Sequence, residues 1–478
     1  MQRKIVFVMH ILLILAIFQT SPVCAWHPGE LVITGDVAQE VVLAGYQGWE
    51  VVGLEYRGEA QEAIRLLPVL QYAGVLGAEG SIFLSAYDGV GAVLALGEIT
   101  EECYLRLTPE YGWQFISEHH PRQAGVKFLE YVVVAAAGPD LPCLRLISGT
   151  TETVISYGSL FAVDSVQRLI IEGEAKKGDF TAAPFSRRSL IPLAQFLNKQ
   201  EAAAAVAYLG DGSQVEVSLA GYLEWRGQSA DYLGPDGRSR KADVKALWAD
   251  APETAVTELL SQALDALGEG RVLIILVDGL GFFELQQVQP PFLSSREVQQ
   301  ARTVFPSITP VALASILTGA LPSEHGITAR GLRELQVPDL FFYASQLGKN
   351  SALVEGNTKI LNTSIRQILN PDLDGDGSTD YEVFQSAQEQ LAAGVDLVFV
   401  HFHGYDDTAH SCGPFSPEAG EKLLELDGYI QALCQGFSGT VLVLADHGQH
   451  PTSRDKLGGH GLASLLDLTV PWFRWEQP

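Results

Sequence analysis

Aspartates and histidines gather in the C-terminal part of this 478-residue chain, each set just past an apolar run. Val272 to Val277 leads into Asp278. Leu397 to His401 is followed by Asp406 and, four residues on, by His410. Val441 to Ala445 leads into Asp446-His447, and His460 stands in a Gly-Gly-His-Gly turn. Carboxylates and imidazoles together suit zinc, with manganese or iron as alternatives. In an open parallel sheet, ligands collect beyond the carboxyl ends of the strands. Three such ends delivering Asp and His to one rim predict a metal site, and one that holds two cations.

A hydroxyl belongs to the same pattern. After Asp278 comes Phe305-Pro306-Ser307-Ile308-Thr309-Pro310, then an apolar stretch that closes at Thr318-Gly319. Thr309 reads as a helix N-cap and Pro310 as the first helical residue. Orphan N–H groups and the helix dipole favour an anion there, which suits a nucleophile attacking phosphorus. A Thr-Pro helix start alone is usually only a cap; its place one element after an acid-tipped strand gives it the second meaning.

The elements that must position these groups form an α/β domain over residues 271–478, with a mostly parallel sheet. Residues 251–270 read as a connecting helix that opens at Pro252-Glu253 and turns Leu259, Leu260, Ala263 and Leu267 to one face. Before it, 26–160 and 161–250 read as two β-rich α+β accessory domains with an internal repeat. Leu31–Asp36 echoes Leu169–Glu174, Leu66–Tyr72 echoes Leu190–Phe196, and the turn Tyr87-Asp88-Gly89 echoes Gly210-Asp211-Gly212. The offsets are unequal, so one copy carries an insertion. This pattern resembles the fold of molybdopterin-binding oxidoreductase domains, but no cofactor residues accompany it and no molybdenum is expected. An accessory or binding role is the expectation.

Composition sets the class. The chain is 47% hydrophobic and 18% charged, which is globular. Arg3 and Lys4, an apolar run from Ile5 to Phe18 broken only by His10, and Val23-Cys24-Ala25 read as a secretory signal over residues 1–25. An uncleaved anchor and lipidation at Cys24 are the alternatives. The run is short of the roughly 20 apolar residues a membrane span needs. Cleavage removes two positive charges and takes the formal net charge from −26 to −28. So acidic a chain repels nucleic acid and anionic membranes at long range. A phosphate substrate must then be attracted locally, by bound cations. The expected location is extracytoplasmic, secreted or at the cell surface, with no membrane span after cleavage. Cys103 with Cys143 and Cys412 with Cys434 is the disulfide pairing that stays within domains; free thiols are the alternative.

Together the motifs resemble the alkaline phosphatase superfamily, nearest its type I phosphodiesterase/nucleotide pyrophosphatase branch, over about 271–475. Val277-Asp278-Gly279 is similar to the first metal motif and Phe305 to Thr309, with Thr318-Gly319, to the nucleophile motif. Pro322-Ser323-Glu324-His325-Gly326, Asp406 to His410 with Gly413-Pro414, Ala445 to Gly448, and Gly459-His460-Gly461 follow in family order. The resemblance implies one cation held by Asp406, His410 and His460. It implies another held by Asp278, Asp446 and His447, with Thr309 as a further ligand. Thr309 would be the nucleophile of a phospho-enzyme route in which two cations about 4 Å apart clamp an in-line displacement. His325 is expected to be structural.

Three departures stand out. Ala312 replaces an asparagine that binds a phosphoryl oxygen in the family, so that contact is missing or supplied elsewhere. Pro310 offers no N–H, which leaves the Val311 and Ala312 N–H groups as candidate donors. Ala409 replaces a common glycine. A sulfatase is disfavoured, because Thr309 cannot become formylglycine. The expected function is hydrolysis of phosphate esters, phosphodiesterase first and phosphomonoesterase close behind. Phosphonate hydrolysis and phosphoglycerol transfer are further options on the same scaffold, and a non-catalytic binding protein that has kept the fold is the contrasting class. No nucleic-acid surface is expected.

A separate signal lies at Asp372, Asp374, Asp376 and Asp380, where alternating acids and glycines resemble a calcium loop; a plain solvated turn is the alternative. Position twelve of such a loop would be Val383, with Glu382 one short. A cap over about 328–395 is expected to carry it and to shape the substrate pocket. His401, His403 and His450 lie near the rim, each as a structural or substrate-touching side chain.

Overall fold

Apolar runs buried on both faces make the centre of the sheet that carries the site. Val272–Val277 and Leu397–Phe402 are buried along their whole length, and Gly439–Leu444 is buried from Thr440 onward. Unbroken Val/Ile/Leu runs of this kind are the mark of interior parallel strands. These strands belong to a computed structural model that describes residues 29–138, 141–197, 203–453 and 456–478. The expected signal segment lies outside the described residues. No described helix is long and apolar enough to cross a membrane.

The sheet has seven strands, in the order Gln299–Arg302, Thr469–Gln477, Gly439–Leu444, Val272–Val277, Leu397–Phe402, Ser351–Glu355, Ile368–Leu369. The last five run parallel; Thr469–Gln477 joins their edge antiparallel, and Gln299–Arg302 pairs antiparallel with it in turn. In register, Val277 pairs with Phe402 and Leu276 with both His401 and Leu444, so the three acid-bearing exits lie side by side. The mostly parallel α/β expectation therefore holds.

The chain divides into two compact units. The first runs to Pro142 and takes back Ser156–Ala162; the second holds Cys143–Ile155 and Val163–Pro478. The expected boundary at 160 therefore shifts. The cause is Asp36, a buried carboxylate that accepts the Ala136 N–H at 2.9 Å, the Gly158 N–H at 3.0 Å and the Ser156 hydroxyl at 2.6 Å. Leaving it unpaired in the core would be costly, so the 156–162 segment stays with the first unit.

Within the first unit, a five-stranded sheet runs Val41–Leu43, Leu31–Gly35, Leu129–Ala137, Glu79–Ala86, Gly91–Ala95. The second unit has a sheet in the order Thr151–Ser156, Cys143–Ser148, Val244–Ala249, Ala204–Leu209, Gln214–Ser218. In both, strands two and three are parallel and the rest of the path to strand five is antiparallel. The turns Tyr87-Asp88-Gly89 and Gly210-Asp211-Gly212 join strands four and five in each. Leu66–Ala73 and Leu193–Gln195 each follow a strand of the companion sheet. The echo of Leu31–Asp36 in Leu169–Glu174 is a mismatch: Leu169 lies in Val166–Ile171, at the edge of another sheet, whereas Cys143–Ser148 holds the place of Leu31–Gly35. Short apolar strands resemble each other too closely for sequence to separate them.

The expected connecting helix starts later, at Leu259, after a 3-10 turn over Val256–Glu258. Leu259, Ala263, Ala266 and Leu267 bury into the core of the seven-stranded sheet, so this helix is a layer of the α/β fold rather than a linker. Neither expected disulfide forms, because Cys103, Cys412 and Cys434 are free. Cys412 and Cys434 end successive helices, Gly404–Cys412 and Pro417–Cys434, so the 18 residues of the second helix hold them apart. At 1.5 Å per residue that is ~27 Å.

The β module of the second unit also braces the rim. Ile147, Tyr208, Ala246 and Trp248 pack with Ala463, Leu465 and Leu468 just beyond His460, and with Phe283 and Phe305. The Leu465 N–H donates to Glu152 at 2.9 Å. Trp248, at 2% exposure, is the largest side chain of this contact. Trp248→Ala is expected to cost about 3–5 kcal/mol in denaturant unfolding. Val154→Ala, at 53% exposure, is expected to cost under about 0.5 kcal/mol. Equal costs would overturn the bracing role.

Candidate metal centre

Each acid reaches the rim because its strand ends there. Asp278 follows Val277, and Gly279 after it turns the chain at φ 72°. A Cβ on Gly279 would lie 2.7 Å from Asp406 Oδ1, so only glycine permits this approach of two carboxylates. Asp446 is wholly buried. Its Oδ1 accepts the N–H groups of Gly279 at 3.1 Å and His447 at 3.0 Å, while its Oδ2 has no hydrogen-bond partner. Asp406 and His410 face each other one turn apart on Gly404–Cys412, at 3.4 Å.

Two groups able to hold a metal result. Asp406, His410 and His460 place one donor atom each within 4.8 Å of one another, and so do Asp278, Asp446 and His447. These are the two sets that the motifs implied. Asp406 Oδ1 lies 3.8 Å from His460 Nε2, and the rings of His447 and His460 stack at 3.9 Å, so the two sets adjoin.

The imidazoles are oriented by main chain. His410 Nδ1 lies 2.8 Å from the Gly458 carbonyl, His460 Nδ1 2.9 Å from that of Ser307, and His447 Nδ1 3.1 Å from that of Gly448. A carbonyl only accepts, so each Nδ1 carries a proton and each Nε2 is turned toward the centre. Metal-binding histidines are typically held this way.

The field of the site favours positive charge. Burial, then the neighbouring Asp278, holds Asp406 well above the usual carboxylate range and raises Asp446. Burial lowers His410, and burial followed by His447 pushes His460 down to about 2, so both stay neutral. For His447 burial acts downward, but Asp446 and Asp278 outweigh it and raise the ring. Buried carboxylates crowded together, one with an unpartnered oxygen, beside neutral imidazoles fit divalent cations.

Thr309 joins the second set. Its Oγ1 lies 3.3 Å from Asp278 Oδ1 and 3.3 Å from His447 Nε2. The helix spans Thr309–Thr318 with Ile308 at the N-cap, so Thr309 is the first helical residue and not the cap. The expected phosphoryl donors are therefore unavailable: the Val311 and Ala312 N–H groups both donate to the Ile308 carbonyl, at 3.0 Å. His325 is structural: its Nε2 meets Ser315 Oγ at 2.9 Å and its Nδ1 accepts the Ile327 N–H at 3.1 Å, and burial pushes it down to about 4.

A supporting layer surrounds these groups; the sequence pointed to His401, His403 and His450 in it, but not to Gln449, Glu355 or Arg330. Gln449 donates to Asp406 Oδ1 at 2.7 Å. His403 Nδ1 meets Asp278 Oδ2 at 2.9 Å. Buried His401 sits 3.5 Å from Asp278 and 3.6 Å from Glu355. Burial acts to lower His401, but those two carboxylates outweigh it and raise it to about 10. Burial likewise acts to raise Asp278, and His401 with His403 overrides it, holding the carboxyl well below its ordinary value. His401, His403 and Asp278 also lie within 4.8 Å of one another. His450 is tied to buried Asp467 at 2.7 Å and pairs with Gly459, next to His460. Arg330 brings a guanidinium to the centre, its Nη2 3.1 Å from His460 Nε2. The signal for Gln449 was its place in the strand-exit loop, two residues past His447; Arg330 and Glu355 carry no local signal.

The model of the type I phosphodiesterase / nucleotide pyrophosphatase family matches residues 272–368 and 355–472. That is the branch the motifs resemble. No curated protein matches the chain. Among solved structures, murine ectonucleotide pyrophosphatase/phosphodiesterase 5, an inactive variant in complex with AMP, is similar at 14% identity, over 43% of this chain and 87% of that one, with a TM-score of 0.36. The human counterpart gives the same identity, coverage and TM-score. Phosphonoacetate hydrolase from Sinorhizobium meliloti 1021, in complex with phosphonoformate, is similar at 21% identity, over 39% of this chain and 58% of that one, with a TM-score of 0.33.

Two outcomes are expected. In protein loaded with zinc, His460→Ala should hold less zinc than wild type in elemental analysis, and Gln449→Leu should bind it about 10–100-fold more weakly; full retention by both would overturn the ligand sets. The second concerns Glu284, fully buried, with burial pushing its carboxyl up to about 8. Such a group binds its proton more tightly in the folded protein than in the unfolded chain. Its contribution is complete below its ordinary value of 4.5 and is lost as pH rises through 8. Glu284→Gln should therefore melt above wild type at about pH 8.5 and converge with it near pH 4. A constant difference would refute the buried proton.

Proposed function

From the likeness of residues 272–472 to the type I phosphodiesterase / nucleotide pyrophosphatase family, we propose that this protein is a two-metal hydrolase of phosphate esters with Thr309 as its nucleophile. One observation carries this reading: the Thr309 hydroxyl, at the start of a helix, lies within 3.3 Å of ligands of the second set. Asp406, His410 and His460 would hold one cation; Asp278, Asp446 and His447, with Thr309, the other. Their mixed N and O donors suit zinc, with manganese or iron as alternatives. When bound, such cations supply Lewis-acid charge to the attacking and leaving oxygens.

Thr309 Oγ1 attacks phosphorus, a new O–P bond forms, the ester P–O bond breaks and the alcohol departs. Water then cleaves the phospho-threonine and restores the hydroxyl. His403 and His401 hold Asp278 in place and Gln449 holds Asp406. Arg330 binds phosphoryl oxygens, a task the Val311 and Ala312 N–H groups cannot take because both are committed to the Ile308 carbonyl; a guanidinium can grip two such oxygens at once. In a chain of net charge −26, this local cation matters for capturing an anion.

Among the described residues, the groups able to hold a metal all lie between Asp278 and His460. That supports an accessory role for the two β modules, which share one strand order and which we take to be a duplication. Residues 1–25 support export from the cytoplasm, to be read by N-terminal sequencing of the mature protein; an intact Met1 would overturn it.

The test compares a phosphate diester, a monoester, a phosphonate and a sulfate ester, with and without chelator. Diester turnover should lead, vanish with chelator and return with zinc or manganese. Thr309→Ala should lower kcat by about 10³-fold or more, and Arg330→Ala should raise KM by about tenfold with a smaller change in kcat. Chelator-insensitive turnover, or an unimpaired Thr309→Ala, would sink the proposal.

A further inference from the structure

The acidic loop before the helix Asp380–Ala392 stands apart from the two ligand sets. Asp372, Asp374 and Asp376 bring carboxylate oxygens within 4.8 Å of one another, all on exposed side chains. Their mutual repulsion is the first reason to look for a cation there. The second is independent of the cluster. Glu382, in the first turn of that helix, is 5% exposed. Its Oε1 accepts the N–H groups of Leu373 at 2.8 Å and Asp374 at 3.3 Å, so the side chain reaches into the base of the loop. Its Oε2 is buried and has no hydrogen-bond partner. A buried carboxylate oxygen without a partner is costly, and a cation at the base of the loop would remove that cost.

The loop is also built into the pocket. Asp372, Ser378 and Thr379, with Asn357 and Thr358, line a cavity of about 330 Å³ whose far side is Asp278, His403 and Asp406. Asp380 links the two sides: its Oδ1 accepts the N–H groups of His403 and Gly404, both at 3.1 Å. A Cβ on Gly404 would lie 2.0 Å from Asp380 Oδ2, and one on Gly356 would lie 2.6 Å from Thr379 Oγ1. The end of the loop is thus packed directly against the segment that carries His403 and Asp406.

We propose that this loop binds calcium through Asp372, Asp374 and Asp376, with Glu382 as the buried acid that completes the charge, and that the bound ion fixes one wall of the substrate pocket. All the donors are oxygens, which selects a hard cation, and the flexible carboxylate geometry suits calcium over magnesium. Glu382 takes the part that position twelve, Val383, cannot. The pocket half of this proposal rests on the hydrolase reading; the calcium half does not.

Zinc-loaded full-length protein is titrated with calcium by calorimetry. One site per chain is expected, with Kd of about 10⁻⁴–10⁻³ M or tighter, and melting should rise in millimolar calcium. Asp374→Asn with Asp376→Asn, and separately Glu382→Gln, should each weaken binding at least about tenfold. No saturable heat in wild type, or unchanged binding in both variants, overturns the site. Phenylphosphonate is then titrated with and without calcium, and its affinity should rise at least about threefold with the ion. Equal affinity, or no binding in either condition, overturns the pocket half. Failure of Thr309→Ala to lose turnover counts against the catalytic reading alone and leaves the calcium titration decisive.

Discussion

Three carboxylates share one buried rim, and this crowding governs the architecture around it. Asp278 and Asp446 follow neighbouring strands whose register fixes their spacing, and Asp406 stands in the first turn of the helix after a third strand. Asp278 raises the cost of ionising Asp406 and Asp446, and Asp446 that of Asp406. The fold answers with partial compensation only: main-chain N–H groups on one oxygen of Asp446, an amide from Gln449 on Asp406, and two imidazoles on Asp278. What is left over is negative charge with nowhere to go, beside imidazoles whose Nε2 atoms face it. A site of this kind is poor as a structural feature and good as a cation receptor.

Much of this was legible in the chain because it is local. A parallel strand buried on both faces reads as an unbroken apolar run, and the residue after it marks the rim. Hence Asp278, Asp446 and His447 could be placed from sequence, and the helical spacing of Asp406 and His410 put them on one face. What could not be read depends on distant neighbours. The helix at Thr309 begins one residue earlier than its Thr-Pro signature suggests, and that shift commits the Val311 and Ala312 N–H groups to Ile308. Glu355 reaches His401 from a neighbouring strand, and Arg330 reaches His460 across 130 residues of sequence. No spacing rule announces either.

The region before residue 250 shows the limit from the other side. Turns between hairpin strands were recognisable, since Asp-Gly sequences carry their own geometry. The strands themselves were not, since Leu31 and Leu169 lie in similar apolar stretches with different places in their sheets. The unit boundary was set by one buried acid, Asp36, whose partners lie 100 to 122 residues away.

The three ligand imidazoles are steered by carbonyls of Gly458, Ser307 and Gly448, not by carboxylate side chains. Main-chain oxygens are present whatever residue occupies a position. Point substitutions in the surrounding shell therefore leave the aim of these rings intact so long as the loops keep their path. A lineage carrying this scaffold is therefore free to vary the side chains lining the pocket while the direction of these three rings is inherited unchanged.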